Sequence, residues 1–359
     1  MRYHFTVSTP EKPQNPADKL ATTSRRRSSG RVTLTQVAQK AGVSAITASR
    51  AMRGDPAVSA ELAARVKTAA DQLGYVPDVA ARALASAKSS SVVVLVPMLT
   101  NAVFVDLIEA VHDVLIPAGY QALIGITHYD PQQEEQLIRS YLAHRPAGFL
   151  VTGFDRTEVA RRLIAASNLP CIHLMEVARA PGVYSVGFSQ ADAGAAMTQH
   201  LIDRGRKRIA FAAAQLDPRT LQRAEGYRRA MRAAGLYDPR LEVLSPERSS
   251  IALGGELLAQ TLQREPQADA IFFCNDDLAQ GGVLAARRMS IDVPGRIAMA
   301  GFNDLTGSDQ MLPPLTTIRT PRAAIGKHAA QMMLQLLRDQ PVAQPSLDLG
   351  FEVVVRESS

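Results

Sequence analysis

VTLTQVAQKAGVSAITASRAMRGDPAVSAELAARVKTAADQLGYVPDVAARALAS, residues 32–86, decides how the rest of the chain is read. Two short segments of helical periodicity, Leu34–Ala41 and Ala45–Met52, are joined by Gly42-Val43-Ser44. Glycine takes the left-handed conformation that ends a helix, and a serine hydroxyl caps the next one. Val37 and Val43, with the small Ala38 and Ala41, let two helices cross closely, as a helix-turn-helix requires. A third segment, Ala60–Leu73, starts from Ser59 with Glu61 in its first turn and closes a small core. The second helix of such a unit enters the major groove. It presents Ala45, Ile46 and Arg50 to base edges. Arg50 suits the two acceptors of a guanine, and Ala45 and Ile46 offer apolar contact to a thymine methyl. Thr33, Ser44, Thr47 and Ser49 are fitted to phosphate contact, and Leu34 stands beside them at the first helix start. The alternative for the hydroxyls is plain helix capping, and for Ser44 the two roles coexist. Ala48 stands where a larger aliphatic is common, which implies either a looser core or a closer helix approach.

The stretch continues into Pro77, which presets a turn into helix, and Asp78, which can cap it. Val79–Ser86 is then one or two helical turns, too short to be stable alone in water. Leu84 is an isolated large apolar residue among alanines.

Composition bounds the remainder. A chain of 359 residues exceeds one typical domain and suits a small domain plus a two-lobed core. Its formal charge of +6 sits largely in the first 90 residues, Arg25-Arg26-Arg27 and Arg31 included, which points to a polyanionic partner for that part. Cys171 and Cys274 are the two cysteines and lie in apolar runs, so free buried thiols are expected rather than a disulfide framework. No apolar run approaches the roughly 20 residues of a membrane span. The N-terminal MRYHFTVSTPEKPQNP has no hydrophobic signal core, and a cytoplasmic, nucleoid-associated protein is expected. Residues 1–31 are read as a disordered basic tail.

From Val92 short apolar runs alternate with amphipathic helices: VVVLVP (92–97), QALIGI (121–126), GFLVTG (148–153), PCIHLM (170–175) and YSVGF (184–188). A second set, RIAFAA (208–213), LEVL (241–244), DAIFFC (269–274) and RIAMAG (296–301), follows the helix Ala191–Arg204. Such alternation implies parallel sheets covered by helices on both faces. Two sheets make two lobes, with a ligand cleft beyond the carboxyl ends of the strands.

VAQKAGVS with Thr47 and Ser49-Arg50, LGYVPD followed by AAR and Leu84, and PPLTTIRTP (313–321) together resemble the lactose-repressor (LacI/GalR) family, from Val32 onward. The resemblance implies an N-terminal all-α helix-turn-helix domain and an α/β two-lobed periplasmic-binding-protein-like core of two Rossmann-like, parallel-sheet subdomains. It implies domains at 32–76 and 92–359 with a hinge helix and linker at 77–91. Lobe 1 is expected over 92–188 and 319–349, and lobe 2 over 189–318 and 350–359. In the family Ala45, Ile46 and Arg50 occupy the discriminating positions. The hinge folds when two copies meet over the minor groove, with Leu84 as the wedge that bends the duplex. Family members commonly carry Asn where Asp78 stands. A family tetramer-forming leucine-rich tail does not follow, so a homodimer is expected.

Effector contacts follow from the same resemblance. Arg223 matches the arginine that holds the family's sugar or base, and Arg219 matches more loosely. Glu176, Asn275 and Asn303 match polar contact positions, although the family usually has Asp where Asn303 stands. Phe104 and Phe188 are expected to flank the ligand, and Arg322 to line the pocket. The plain alternatives are a helix cap for Asn275 and a solvated surface group for Arg322. Losing one carboxylate and gaining guanidinium forks suits a carboxylate ligand. LVPMLTNAVF, AGYQALIG, LDPRT, CNDDLA and LDLGF resemble gluconate-operon repressors within the family. The expected effector is therefore gluconate or a ketogluconate, which releases operator DNA. The alternatives are a neutral sugar, a corepressor, and a sugar-binding protein that does not bind DNA. A constitutive architectural DNA binder would need no cleft residues. Asn275-Asp276-Asp277 reads as a helix start, the histidines lack ligand spacing, and no nucleophile elbow or phosphate loop is present. No enzyme activity, cofactor or metal is expected.

Overall fold

The computed structural model describes residues 32–76, 89–100, 102–178 and 180–359. The tail over 1–31 and the hinge, with Asp78 and Leu84, lie outside the described residues. The chain divides into two compact units, parting between Arg82 and Ala83.

In the first unit three helices form where local signals start and stop them: α1 (Leu34–Ala41), α2 (Ala45–Met52) and α3 (Ala60–Leu73). Thr33 and Gln36 form a reciprocal capping box, the Thr33 N–H donating to Gln36 Oε1 at 2.7 Å. Gly42 ends α1 at φ 65°, and its N–H returns to the α1 carbonyls. Ser44 and Ser59 cap α2 and α3. The core is built from small side chains: Val37, Ala38, Ala41, Ala48, Val66, Ala69 and Ala70 are buried. Ala48 is fully enclosed, so its small size belongs to a filled core between closely crossing helices.

The second unit holds two six-stranded sheets. The first contains β1 (Ser91–Val96), β2 (Gln121–Ile126), β3 (Gly148–Thr152), β4 (Cys171–Leu174), β5 (Tyr184–Gly187) and β11 (Ser346–Asp348), ordered β11-β5-β4-β3-β1-β2. The second contains β6 (Ile209–Ala214), β7 (Glu242–Ser245), β8 (Ala270–Phe273), β9 (Ala298–Asn303), β10 (Thr316–Arg319) and β12 (Glu352–Val354), ordered β12-β10-β9-β8-β6-β7. All pairings are parallel except β10 with β12. Central strands such as Val92–Val96 and Ile209–Ala214 are buried along their length, as helix cover on both faces requires.

Helices α4 (Ala102–Leu115), α5 (Pro131–Ala143) and α6 (Glu158–Ser167) serve the first lobe. The second lobe has α7 (Gln190–Asp203), α8 (Pro218–Ala233), α9 (Ile251–Arg264) and α10 (Asp276–Arg288). Helix α11 (Arg322–Leu337) packs on α4 and on the first sheet. The chain therefore crosses between lobes three times, near residues 188, 320 and 350. A buried carboxylate secures the second lobe. Asp276, at the start of α10, accepts from Thr317 Oγ1 at 2.6 Å, the Leu305 N–H at 2.6 Å and Ser308 Oγ at 3.2 Å.

Candidate functional site

In the helical unit Ile46 is 70% exposed at the start of α2, an unusual posture for a large aliphatic in so small a fold. Ala45 and Arg50 are also exposed. Arg50 Nε lies 3.8 Å from Asp55 Oδ2, a half-exposed pair that leaves the guanidinium able to turn outward. Ser44 Oγ accepts from the Thr47 N–H at 3.1 Å and lies 2.8 Å from Thr47 Oγ1. The hydroxyl expected to touch phosphate is thus also the α2 cap. Thr33 caps α1, Leu34 is half-buried at that helix start, and Ser49 is half-buried on α2.

In the second unit a cavity of about 280 Å³ opens between the lobes. That is near the lower end of the roughly 300–1,000 Å³ range usual for small-ligand sites. Strand ends supply its walls. Met98 and Thr100 follow β1, Tyr129 follows β2, Asp217 and Arg219 follow β6, Arg248 follows β7, Asn275 follows β8, and Asn303 ends β9. Phe104, from the first turn of α4, adds an apolar face.

Five of the expected contact positions line this cavity: Phe104, Arg219, Arg223, Asn275 and Asn303. Arg223 is 8% exposed and lies with its Cζ 3.8 Å from the centre of the Phe302 ring. Its Nε donates to Gln190 Oε1 at 2.8 Å and its Nη1 to the Cys274 carbonyl at 2.7 Å. Both partners are neutral, and among the described residues no carboxylate pairs with it. Burial pushes its guanidinium below the ordinary arginine value, partly opposed by the Asp217 charge. A buried cation with no carboxylate in ion-pair contact attracts an anion. Asn303 sits at φ 114° with its Oδ1 buried and unpartnered. Asn275 Oδ1 caps α10 by accepting from the Leu278 N–H, and its Nδ2 donates to Ser249 Oγ at 2.8 Å. It therefore both caps a helix and faces the cavity.

Three of the expected contact positions, Glu176, Phe188 and Arg322, are not among the residues lining the cavity. Glu176 does not line the cavity, because Arg219 and Gln222 engage its two oxygens at 3.3 and 2.7 Å. Phe188 is fully buried and stacked on Phe302 at 6.3 Å, so in this structure it supports the ring under Arg223. Arg322 pairs with Asp106 at 2.8 Å and donates to the Asn303 carbonyl, so it is neither a cavity wall nor a solvated group. Arg219 faces the cavity but is already neutralised. Asp155, Glu176 and Asp217 lie 3.0, 3.3 and 3.1 Å from its guanidinium. Burial lowers its proton affinity, and the three carboxylates more than reverse this, leaving it above the ordinary value.

Tyr129, Asp217 and Arg248 also line the cavity without having been expected there, as does Asp277, which the sequence marks only as part of a helix start. Each of the first three follows a parallel strand, and that position was the available signal. His128 and Tyr129 both have positive φ, 50° and 60°, which turns the tyrosine into the cleft. Burial and then the Asp217 charge hold the Tyr129 hydroxyl in its protonated form. Among the described residues no group of His, Cys, Asp and Glu is arranged to hold a metal, and no helix is long and apolar enough to cross a membrane.

A helix-turn-helix unit joined to a two-lobed α/β core with an inter-lobe cavity defines a DNA-binding transcriptional regulator. The model of bacterial regulatory proteins of the lacI family matches residues 33–78, and that of a periplasmic binding protein-like domain matches residues 198–359. The HTH-type transcriptional regulator GntR of Pseudomonas aeruginosa is 56% identical over 333 residues, 93% of this chain and 97% of that protein. The crystal structure of the transcription regulator GntR from Chromobacterium violaceum aligns with a TM-score of 0.74 and 47% identity over 75% of this chain and 99% of that one. The lac repressor dimer bound to operator aligns with a TM-score of 0.81 and 25% identity over 91% and 99%. The chain belongs to the LacI family of bacterial transcriptional regulators.

Proposed function

We propose that the chain is a dimeric repressor of a near-palindromic operator, released by a small sugar acid, gluconate or a ketogluconate. The observation that carries the effector reading is Arg223, a buried guanidinium facing the cavity with neutral protein partners only. Its Nη2 donates to a carboxylate oxygen of the ligand, and Arg248 at the cavity wall adds a second positive charge. The unpartnered Asn303 Oδ1 and the nearby Asp217 and Asp277 carboxylates suit the hydroxyls of a polyol chain. On the DNA side, α2 reads bases through Ala45, Ile46 and Arg50, and Leu84 wedges the central step. The similarity to GntR regulators supports the same effector class.

Calorimetry with gluconate, 2-ketogluconate, 6-phosphogluconate, glucose and ribose tests the reading, paired with operator gel shifts at fixed salt. Gluconate or ketogluconate binds and releases operator. Arg223→Ala weakens acid binding by roughly 2–5 kcal/mol, the cost of losing one partner of a desolvated charge pair. Binding of a neutral sugar without any acid, or full acid affinity in Arg223→Ala, overturns it.

A further inference from the structure

We propose that Arg219 is the strut that ties the two lobes across the cavity, while Arg223 answers the charge of the ligand. The naming of the ligand rests on the function proposed above; the strut itself does not. Arg219 belongs to α8 of the second lobe, yet its Nη1 is held by Asp155 at 3.0 Å and Glu176 at 3.3 Å, both in the first lobe. Its Nη2 stays with Asp217 at 3.1 Å in its own lobe. Gln222, on the same helix, donates to the other Glu176 oxygen at 2.7 Å.

The first lobe keeps a slot for this side chain. Gly153 has φ 67°, and a Cβ there would collide with Arg219 Nη1. The slot is anchored from behind by Arg156, whose Nε pairs with Glu134 at 2.9 Å and whose Nη2 donates to the Gly153 carbonyl at 2.8 Å. Neighbouring residues thus divide the work: Asp155 reaches across the cleft while Arg156 pins its loop to the lobe.

Charge makes the strut decisive. Three carboxylates converge on one guanidinium, so removing Arg219 leaves Asp155 and Glu176 facing Asp217 without compensation. An attraction between lobes becomes a repulsion in a poorly solvated gap. A ligand carboxylate gains little from Arg219, whose positive charge is already more than matched.

Small-angle scattering of the full-length ligand-free protein separates the roles, alongside calorimetry with gluconate and its uncharged amide, gluconamide. Arg219→Ala expands the protein and weakens both ligands by the same factor, on the order of tenfold, because both need the closed arrangement. The gluconate-to-gluconamide affinity ratio is unchanged. Arg223→Ala leaves the dimensions unchanged and brings that ratio close to one. Adding Glu176→Gln to Arg219→Ala recovers part of the compaction by removing one repelling charge. Glu176→Gln alone gives a smaller expansion and serves if Arg219→Ala fails to fold by circular dichroism. Unchanged dimensions in the variant that folds, or a collapsed affinity ratio in Arg219→Ala, overturn the proposal. If wild type binds neither ligand, the effector reading fails, and the scattering comparison still decides the strut.

Discussion

Arg219 and Arg223 lie one helical turn apart, and their partners alone separate them. One is surrounded by carboxylates, the other by an amide, a carbonyl and a ring face. Sequence spacing put both on one helix face but said nothing of charge balance, because two of the three carboxylates arrive from loops 43 and 64 residues away. Arg50, proposed above to read bases, makes the complementary case. Arg50→Ala should cost roughly 1–3 kcal/mol of base discrimination per half-site, read as a narrowed gap between specific and non-specific gel-shift affinities. Asp276 gives a pH prediction. Burial pushes its carboxyl up to about 6, against three hydrogen bonds that favour the charge. A folded-state value above the ordinary one means the folded chain binds more protons between about pH 4 and 6. This group therefore contributes stability at low pH that is lost as pH rises through that window, at most about 3 kcal/mol. Urea midpoints measured from pH 4 to 7 should show that slope in wild type and lose it in Asp276→Asn.

At the scale of elements, legibility follows the range of the interactions that define each one. The helices α1, α2 and α3 fall where the periodicity and caps place them, since Thr33, Ser44, Ser59, Gly42 and Gly74 act within a few residues. The buried strands of both sheets were legible as apolar runs. β11 and β12, three residues each, carry too little pattern to be distinguished from loop. Their pairing is set by partners more than 30 residues away in the chain. Within the site, Phe188 packs under Phe302, and sequence does not distinguish that place from a ligand-facing one, because an aromatic after a parallel strand reads alike in both. Ala48 supplies the element-scale test. A leucine there overfills a core that is already closed, and Ala48→Leu should destabilise α1–α3 by about 1–3 kcal/mol. Thr33→Ala should cost about 1 kcal/mol through the lost cap. Hydrogen exchange at α1–α3 amides reads both, and protection in the core sheets should be unaffected.

For the whole molecule, regulation is a coupling between two ligands, and coupling is reciprocal. If the effector lowers operator affinity by some factor, operator must lower effector affinity by the same factor. Effector titrations with and without saturating operator should therefore match operator titrations with and without effector. A mismatch would mean that a third state participates. At an effector concentration of 100 times its dissociation constant, the core should also gain about 2.7 kcal/mol of stability, visible as a raised melting temperature.

The three crossings between lobes have a consequence for synthesis. The helix-turn-helix has all its described residues once Val76 is made, while the first sheet lacks its edge strand until Asp348. At roughly 5–20 residues per second, the 348 − 76 = 272 intervening residues take about 14–54 seconds to add. During that interval a nascent chain carries the helix-turn-helix but not yet the strand that completes the first sheet of the two-lobed core. Ribosomes stalled late in the message would then display helix-turn-helix units ahead of a finished core, held near the transcript that encodes them.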